Sequence, residues 1–170
     1  MSISPGLIRL IDLSIEQANE IKRLALKLKE KEIAMRVMVI VKASKESEAG
    51  ILPGPELIAR MGKYNEELHK AGIMLAGDGL QSSAKGKRVK FGDGKRIVTD
   101  GPFAETKELI AGFWLWKVKS MDEAVEWLKR APFDRGEEVE IRQLFELEDF
   151  APSPTIDRER ELKKELSQNA

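Results

Sequence analysis

Leu109-Ile110-Ala111-Gly112-Phe113-Trp114-Leu115-Trp116-Lys117-Val118 is the stretch on which the fold turns. Aromatic and branched residues without a proline predict a strand. By the period-two rule Phe113 and Leu115 point to one face, and Ile110, Trp114 and Trp116 to the other. Both faces are apolar, so both require cover. In a chain of 170 residues helices cover one face, and a second copy of the chain is the economical cover for the other.

Working outward, Arg36 to Lys42 is β-branched and compact, hence a second strand opening at Met35. Ala43 to Gly54 is polar and reads as a loop. Pro55 to Ala71 follows as a helix whose inward stripe is Leu57, Met61, Tyr64, Leu68 and Ala71, stopped by Gly72. Ile73 to Ala76 is a short strand. Lys87 to Phe91 and Arg96 to Thr99 flank Gly92-Asp93-Gly94, a hairpin signal. Past the opening stretch, Ser120 caps a helix through Arg130, with Glu123 completing a capping box. Glu138 to Leu147 is the last strand. The order β-α-β, hairpin, β-α-β predicts an α+β domain, a ferredoxin-like split βαβ with an inserted β-hairpin. Two helices on one sheet face leave the other to sheet-to-sheet homodimerisation.

Three segments are expected: an N-terminal helical extension over 1–34, the α+β domain over 35–150, and a charged C-terminal helical tail over 151–170. In the extension Ile15, Ala18, Ile21, Ala25 and Leu28 recur at helical spacing opposite a basic side diluted by glutamates, so it is expected to pack on the domain or on a partner subunit. Met35 is an alternative start, and both readings stand at this stage.

Composition narrows the chemistry. The 29 Lys+Arg balance 29 Asp+Glu, and the pI is near 6.7, which argues against neutralisation of a phosphate backbone as the main task. Zero cysteines exclude disulfides, Cys-ligated zinc, iron–sulfur clusters and thiol catalysis. One histidine excludes a multi-histidine metal site within the chain. No stretch approaches the roughly 20 apolar residues of a membrane span, and the first residues lack a basic n-region. A cytoplasmic protein without metal or cofactor, whose chemistry rests on carboxylates, hydroxyls, Lys and Arg, is the expectation, with no membrane and no direct nucleic-acid partner.

Between hairpin and central strand lies Val98-Thr99-Asp100-Gly101-Pro102-Phe103-Ala104-Glu105-Thr106-Lys107-Glu108. With Glu66-Glu67-Leu68, Ala71-Gly72, Gly77-Asp78-Gly79-Leu80, Gly112-Phe113 and Glu140-Ile141-Arg142 in order around it, this run resembles the DGPF-motif family, a branch of the YCII-related superfamily. The resemblance covers about Met35 to Leu147. It implies a dimeric α+β barrel and no defined reaction, since the activity of most of the branch is unknown. It also implies an association with partners of extracytoplasmic-function sigma factors. Some relatives use a His–Asp pair for proton transfer. Here the inward helical stripe carries no histidine, and His69 falls off it near the helix end, where it favours the C-terminal dipole.

Read for itself, Asp100-Gly101-Pro102 is turn chemistry with Asp100 as a cap. Alternatively, the Asp100 carboxylate projects into a cleft as a catalytic acid or base, with Glu105, Lys107 and Glu108 near enough to shift it. Glu140 and Arg142 share one strand face, two residues apart. They form either a salt bridge across a dimer or a site in which Arg142 clamps an anionic group. Trp114 and Trp116 pack in the core or floor such a cavity. Gly77-Asp78-Gly79 and Gly92-Asp93-Gly94 lack phosphate-loop spacing and read as turns, with Asp78 within reach of the same cleft.

Two functions follow. The first is a cofactor-free enzyme doing acid/base chemistry on a small polar or anionic molecule in a cleft of a homodimer. Its substrate-binding residues would be Arg142, Glu140, Asp78, Glu105, Trp114 and Trp116. The second is a non-catalytic ligand-binding or regulatory module linked to sigma-factor transcription control, with the terminal helices as partner surfaces. A purely structural dimer without a site is the remaining case.

Overall fold

Residues 15–25, 34–104, 108–134 and 136–168 are described by a computed structural model. Their strands are β1 (Met35–Lys42), β2 (Met74–Gly79), β3 (Lys87–Phe91), β4 (Arg96–Asp100), β5 (Ile110–Val118) and β6 (Val139–Gln143). The helices are α1 (15–25), α2 (Lys45–Glu48), α3 (Pro55–Lys70), α4 (Met121–Leu128) and α5 (Pro154–Gln168). The fold is α+β. One sheet runs β2-β5-β1-β6 and the hairpin β3-β4 forms a second, with every pairing antiparallel. The described residues of the single chain close no barrel.

Alternation along the two central strands decides the core. Val37 pairs with Trp116 and Val39 with Trp114, and these side chains all turn towards α3 and α4. There they are joined by Tyr64, Leu68, Ile73, Val118 and Ala124. Tyr64 Oη donates to the Trp127 carbonyl at 2.8 Å, tying α3 to the end of α4. The burial that allows this contact pushes the Tyr64 phenol pKa up. The opposite face of the sheet carries Met38, Ile40, Phe113 and Leu115, all half-buried.

Ser120 caps α4 as expected, its hydroxyl accepting from Glu123 N at 3.1 Å. Four details differ from the sequence reading. The loop after β1 contains α2, built by a reciprocal capping box between Ser44 and Ser47. Gly77-Asp78-Gly79 is the end of β2 rather than a turn. Gly77 stands opposite Trp114, and a Cβ there would lie 2.4 Å from the indole. The glycine is what lets the strand continue past the ring. Helix α4 stops at Leu128, two residues short of Arg130. The last strand ends at Gln143, because Glu146 and Asp149 cap each other's backbone and start a 3₁₀ turn at Leu147.

Outside the core, α1 is wholly exposed, and α5 has no buried residue. All ten residues of the hairpin strands are exposed. Among the described residues no helix is long and apolar enough to cross a membrane.

Candidate functional site

A cavity of about 760 Å³ opens where α3 leaves the β2-β5 side of the sheet. Its floor is Gly77 and Trp114, its wall is Met61 and Asn65 of α3, and its cover is the segment from Ser44 to Pro53. Asn65 follows Tyr64 on the edge of the inward helical stripe. Its Oδ1 accepts from Trp114 Nε1 at 3.0 Å, which leaves the amide NH₂ for a ligand. Trp114 is locked by edge-on contacts with Tyr64 and Phe133, at 6.3 and 6.0 Å between ring centroids.

Asp78, Glu46, Glu137 and Lys42 bring charge to the lining. The Asp78 carboxylate, exposed and opposite Phe113 in the register, has no hydrogen bond or ion pair among the described residues. Glu46 is held below the usual carboxylate range by its own backbone N–H, and secondarily by the Ser44 hydroxyl. The Lys42 ammonium is committed to Glu140 at 2.7 Å. Among the described residues no arginine lines the cavity, and no cluster of His, Asp or Glu is placed to hold a metal ion.

The expected site residues divide between several places. Asp78 and Trp114 both border this cavity, Asp78 from the exposed edge of β2 opposite Phe113 and Trp114 from the helix side. Trp116 is fully buried in the core behind Trp114. Both tryptophans lie on the helix side of the sheet, whereas Glu140 and Arg142 project from the other side. There Glu140 accepts from both Lys42 and Arg142 within one chain. Arg142 is exposed and lines neither this cavity nor the smaller one described below. Asp100 stands at the end of the hairpin, its carboxylate exposed and paired with Lys87, also outside both cavities. Glu105, with Thr106 and Lys107, lies outside the described residues. His69 is exposed at the last turn of α3.

The Asp100-Gly101-Pro102-Phe103 turn, whose Gly101–Pro102 bond is cis, docks on the short 3₁₀ turn Ser83–Lys85. Gly101 N donates to the Gly86 carbonyl at 3.0 Å and Phe103 N to Ser83 Oγ at 3.2 Å. Ser83 Oγ in turn donates to Glu48, whose carboxylate also takes Ser83 N at 3.2 Å. The Arg88 guanidinium lies 4.1 Å above the Phe103 ring. A second cavity of about 270 Å³ lies between Glu48, Ser83 and Phe103. The motif therefore braces α2, the cover of the main cavity, through Glu48.

Sequence reading passed over Asn65, α2 and the Glu48–Ser83 contact. Asn65 was detectable as the residue four after Met61, on the inward side, and α2 by the Ser44-x-x-Ser47 spacing.

The ion triad has a pH consequence. Hydrogen bonds from Lys42 first and Arg142 second hold the Glu140 pKa below its ordinary value. A folded-state pKa below the unfolded one contributes stability above the ordinary glutamate pKa, lost as pH falls through the lowered one. A carboxyl NMR titration is expected to place Glu140 below ordinary glutamates, and Lys42→Met is expected to raise its midpoint. An unchanged midpoint in Lys42→Met would refute the assigned cause.

A stretch of 41 residues is 46% identical to an uncharacterised protein of Rhizobium meliloti strain 1021, and spans 24% of this chain and 33% of that relative. With two-thirds of the relative unmatched, the likeness names no activity. The four-stranded sheet, both covering helices and the motif turn fall within residues 35–148, which match the YCII-related domain model, and the chain belongs to the YCII-related domain family.

Proposed function

We propose that this YCII-related chain is a homodimeric small-molecule-binding protein of the DGPF branch. Its cleft between α3 and the β2-β5 edge does cofactor-free acid/base chemistry, with Asp78 as the proton-transfer group and Asn65 as the orienting hydrogen bonder. The observation that carries this reading is the 760 Å³ cavity, bordered at the exposed β2 edge by an aspartate carboxylate without a described partner and holding a half-used amide above its apolar floor. The charges of the lining, three carboxylates against one ammonium already paired, favour a neutral or cationic polar ligand over an anionic one. Asp100, Glu140 and Arg142 then act at a distance from the ligand, Asp100 in an ion pair with Lys87 rather than as a turn cap and the other two paired with each other.

The strand order β2-β5-β1-β6 with both helices on one face supports the ferredoxin-like split reading. The apolar strip Met38, Ile40, Phe113 and Leu115 on the other face supports sheet-to-sheet pairing of two copies. Residues 1–34 and 151–170 belong to this reading as extensions of the domain, and its setting is cytoplasmic. The fully exposed α1 and the absence of any buried residue in α5 favour one further reading, in which the same cleft is a sensor and these helices are its partner surfaces.

The test is a thermal-shift screen of small metabolites, followed by NMR on the hits. Ligands are expected to move the Trp114 indole and Asn65 amide resonances. Asp78→Asn is expected to abolish any turnover while leaving the fold and the dimer intact. Hits whose shifts gather around Asp100 and Arg142 instead would overturn the assignment of the cleft. Binding lost in Asp78→Asn with no turnover found for any ligand would favour the sensor.

A further inference from the structure

The open face of the four-stranded sheet carries charge only towards its margins and its ends. The register sets Asp78, Phe113, Ile40 and Glu140 level with one another across the four strands. In the next row on the same face it sets Ala76, Leu115, Met38 and Arg142 level. At the β6 margin Glu140 is shared by Lys42 and Arg142, two cations on one carboxylate, so this network keeps one positive charge in excess. At the β2 margin stands Asp78, an exposed carboxylate without a described partner. Excess cation and unpaired anion lie at the same level but three strand spacings apart, roughly 14 Å. Within one chain they cannot meet.

A second copy of the chain joins them. Consider two such faces stacked about 10 Å apart around a two-fold axis parallel to the strands and midway between β5 and β1. Every row keeps its level, and each outer strand lies over the opposite outer strand of the other copy. Phe113 then covers Ile40 of the partner subunit, and Leu115 covers Met38 of the partner subunit. Asp78 comes level with the partner's Glu140. The partner's Lys42 and the partner's Arg142 flank that level, because β1 and β6 run in opposite directions. One row beyond Leu115, Lys117 comes over the Arg36–Glu146 pair, which is already neutral. A two-fold axis perpendicular to the strands would instead lay every strand over its own copy, Asp78 on Asp78 and the cationic margin on itself. Of the two axes, the parallel one makes the face complementary to itself, as an interface between identical surfaces has to be.

We infer that two copies of this chain stack their open sheet faces about an axis parallel to the strands, Asp78 of each closing the Lys42–Glu140–Arg142 network of the other. This inference rests on the homodimer reading and deepens it by naming the axis and the pairing that fixes it. Within one chain Arg142 stands apart from the cleft, and the guanidinium that approaches Asp78 belongs to the partner subunit. The β2 border of the cleft is then built by both chains.

Charge reversal in the full chain tests it. Asp78→Arg and, separately, Arg142→Asp are each expected to raise the dimer dissociation constant about tenfold or more in sedimentation equilibrium, since each sets like charge on like at both margins. An equimolar mixture of the two variants is expected to recover the wild-type constant, because both margins of the mixed pair are again opposite in charge. Both substitutions in one chain are expected to recover it as well, which also shows that neither change unfolds the protein. Asp78→Asn keeps the shape and an acceptor oxygen, and is expected to weaken association far less and to leave the dimer standing. Single variants as tight as wild type, with a mixture tighter still, would place like over like and overturn the axis. A dimer indifferent to all of these changes would overturn the docking and leave the homodimer reading to another surface. A wild-type chain that is monomeric at micromolar concentration would overturn both.

Discussion

Trp116→Ala is expected to cost about 3–5 kcal/mol of unfolding free energy, the range for removing a fully enclosed aromatic side chain. Trp116 has no exposed surface and sits opposite Val37 in the register of β1 and β5. Its ring lies 6.1 Å from that of Trp114, so truncation would also loosen the floor of the cleft. The indole Nε1 is buried without a hydrogen-bond partner, and an unsatisfied buried donor carries a penalty of about 1–3 kcal/mol. Trp116→Phe removes that donor while keeping most of the apolar bulk. Its loss is therefore expected to be much smaller than that of the alanine variant. Urea unfolding of both variants reads the difference, with midpoint shifts at unchanged slope. Equal losses for Phe and Ala would show that the unpaired N–H is of no consequence.

Gly101→Ala is expected to be the second most damaging change, for the opposite reason. A Cβ at this position would lie 1.8 Å from the Ser83 carbonyl oxygen and 2.6 Å from its carbon. These are backbone atoms, which cannot swing aside as a side chain can. Forcing them apart costs about 1–3 kcal/mol or somewhat more. It also breaks the donation from Phe103 N to Ser83 Oγ that docks the motif. Amide exchange at Phe103 is expected to accelerate together with the fall in stability. Ser83→Ala, which removes only the hydroxyl, should cost about 1 kcal/mol, and Gly79→Ala, where a Cβ meets nothing within 4 Å, should cost less. A Gly101→Ala protein as stable as the Gly79→Ala one would mean that the turn does not press on Ser83.

Much of the architecture was legible because local rules and tertiary packing agree. The ten residues from Leu109 to Val118 could only be a strand with two apolar faces. Ser120 with Glu123, Pro55 at a helix start, and Gly92-Asp93-Gly94 each mark a boundary by chemistry confined to a few neighbours. The discrepancies arise where a distant group intervenes. Gly77-Asp78-Gly79 has the composition of a turn, yet it continues β2 because the Trp114 ring needs the space a side chain would fill. The strand after Glu138 looks long by alternation, yet it stops at Gln143 once Glu146 and Asp149 cap each other.

The site was harder to read, since a cavity is made by residues far apart in the chain. Asp78 and Trp114 could be nominated one at a time, but nothing in the sequence spacing put Trp114 against Asn65. Arg142 and Glu140 were nominated for sharing a strand face, and their mutual contact follows from that period. Whether that face also held the tryptophans depended on the register of β5 and β6 on β1, which sets Glu140 level with Ile40 and Phe113.

Residue order alone was enough for the six strands, for α3 and α4, and for the YCII-related family, because periodicity, capping and turn chemistry act over a few neighbouring positions. It was also enough to exclude thiol chemistry and a multi-histidine metal site within the chain, since cysteine is absent and histidine occurs once. Packing settled which sheet face was sealed, that the motif turn grips Ser83 and Glu48, and that the cleft gathers Asp78 rather than Asp100. Those outcomes depend on contacts between residues dozens of positions apart, whose partners are chosen only when whole surfaces compete for burial.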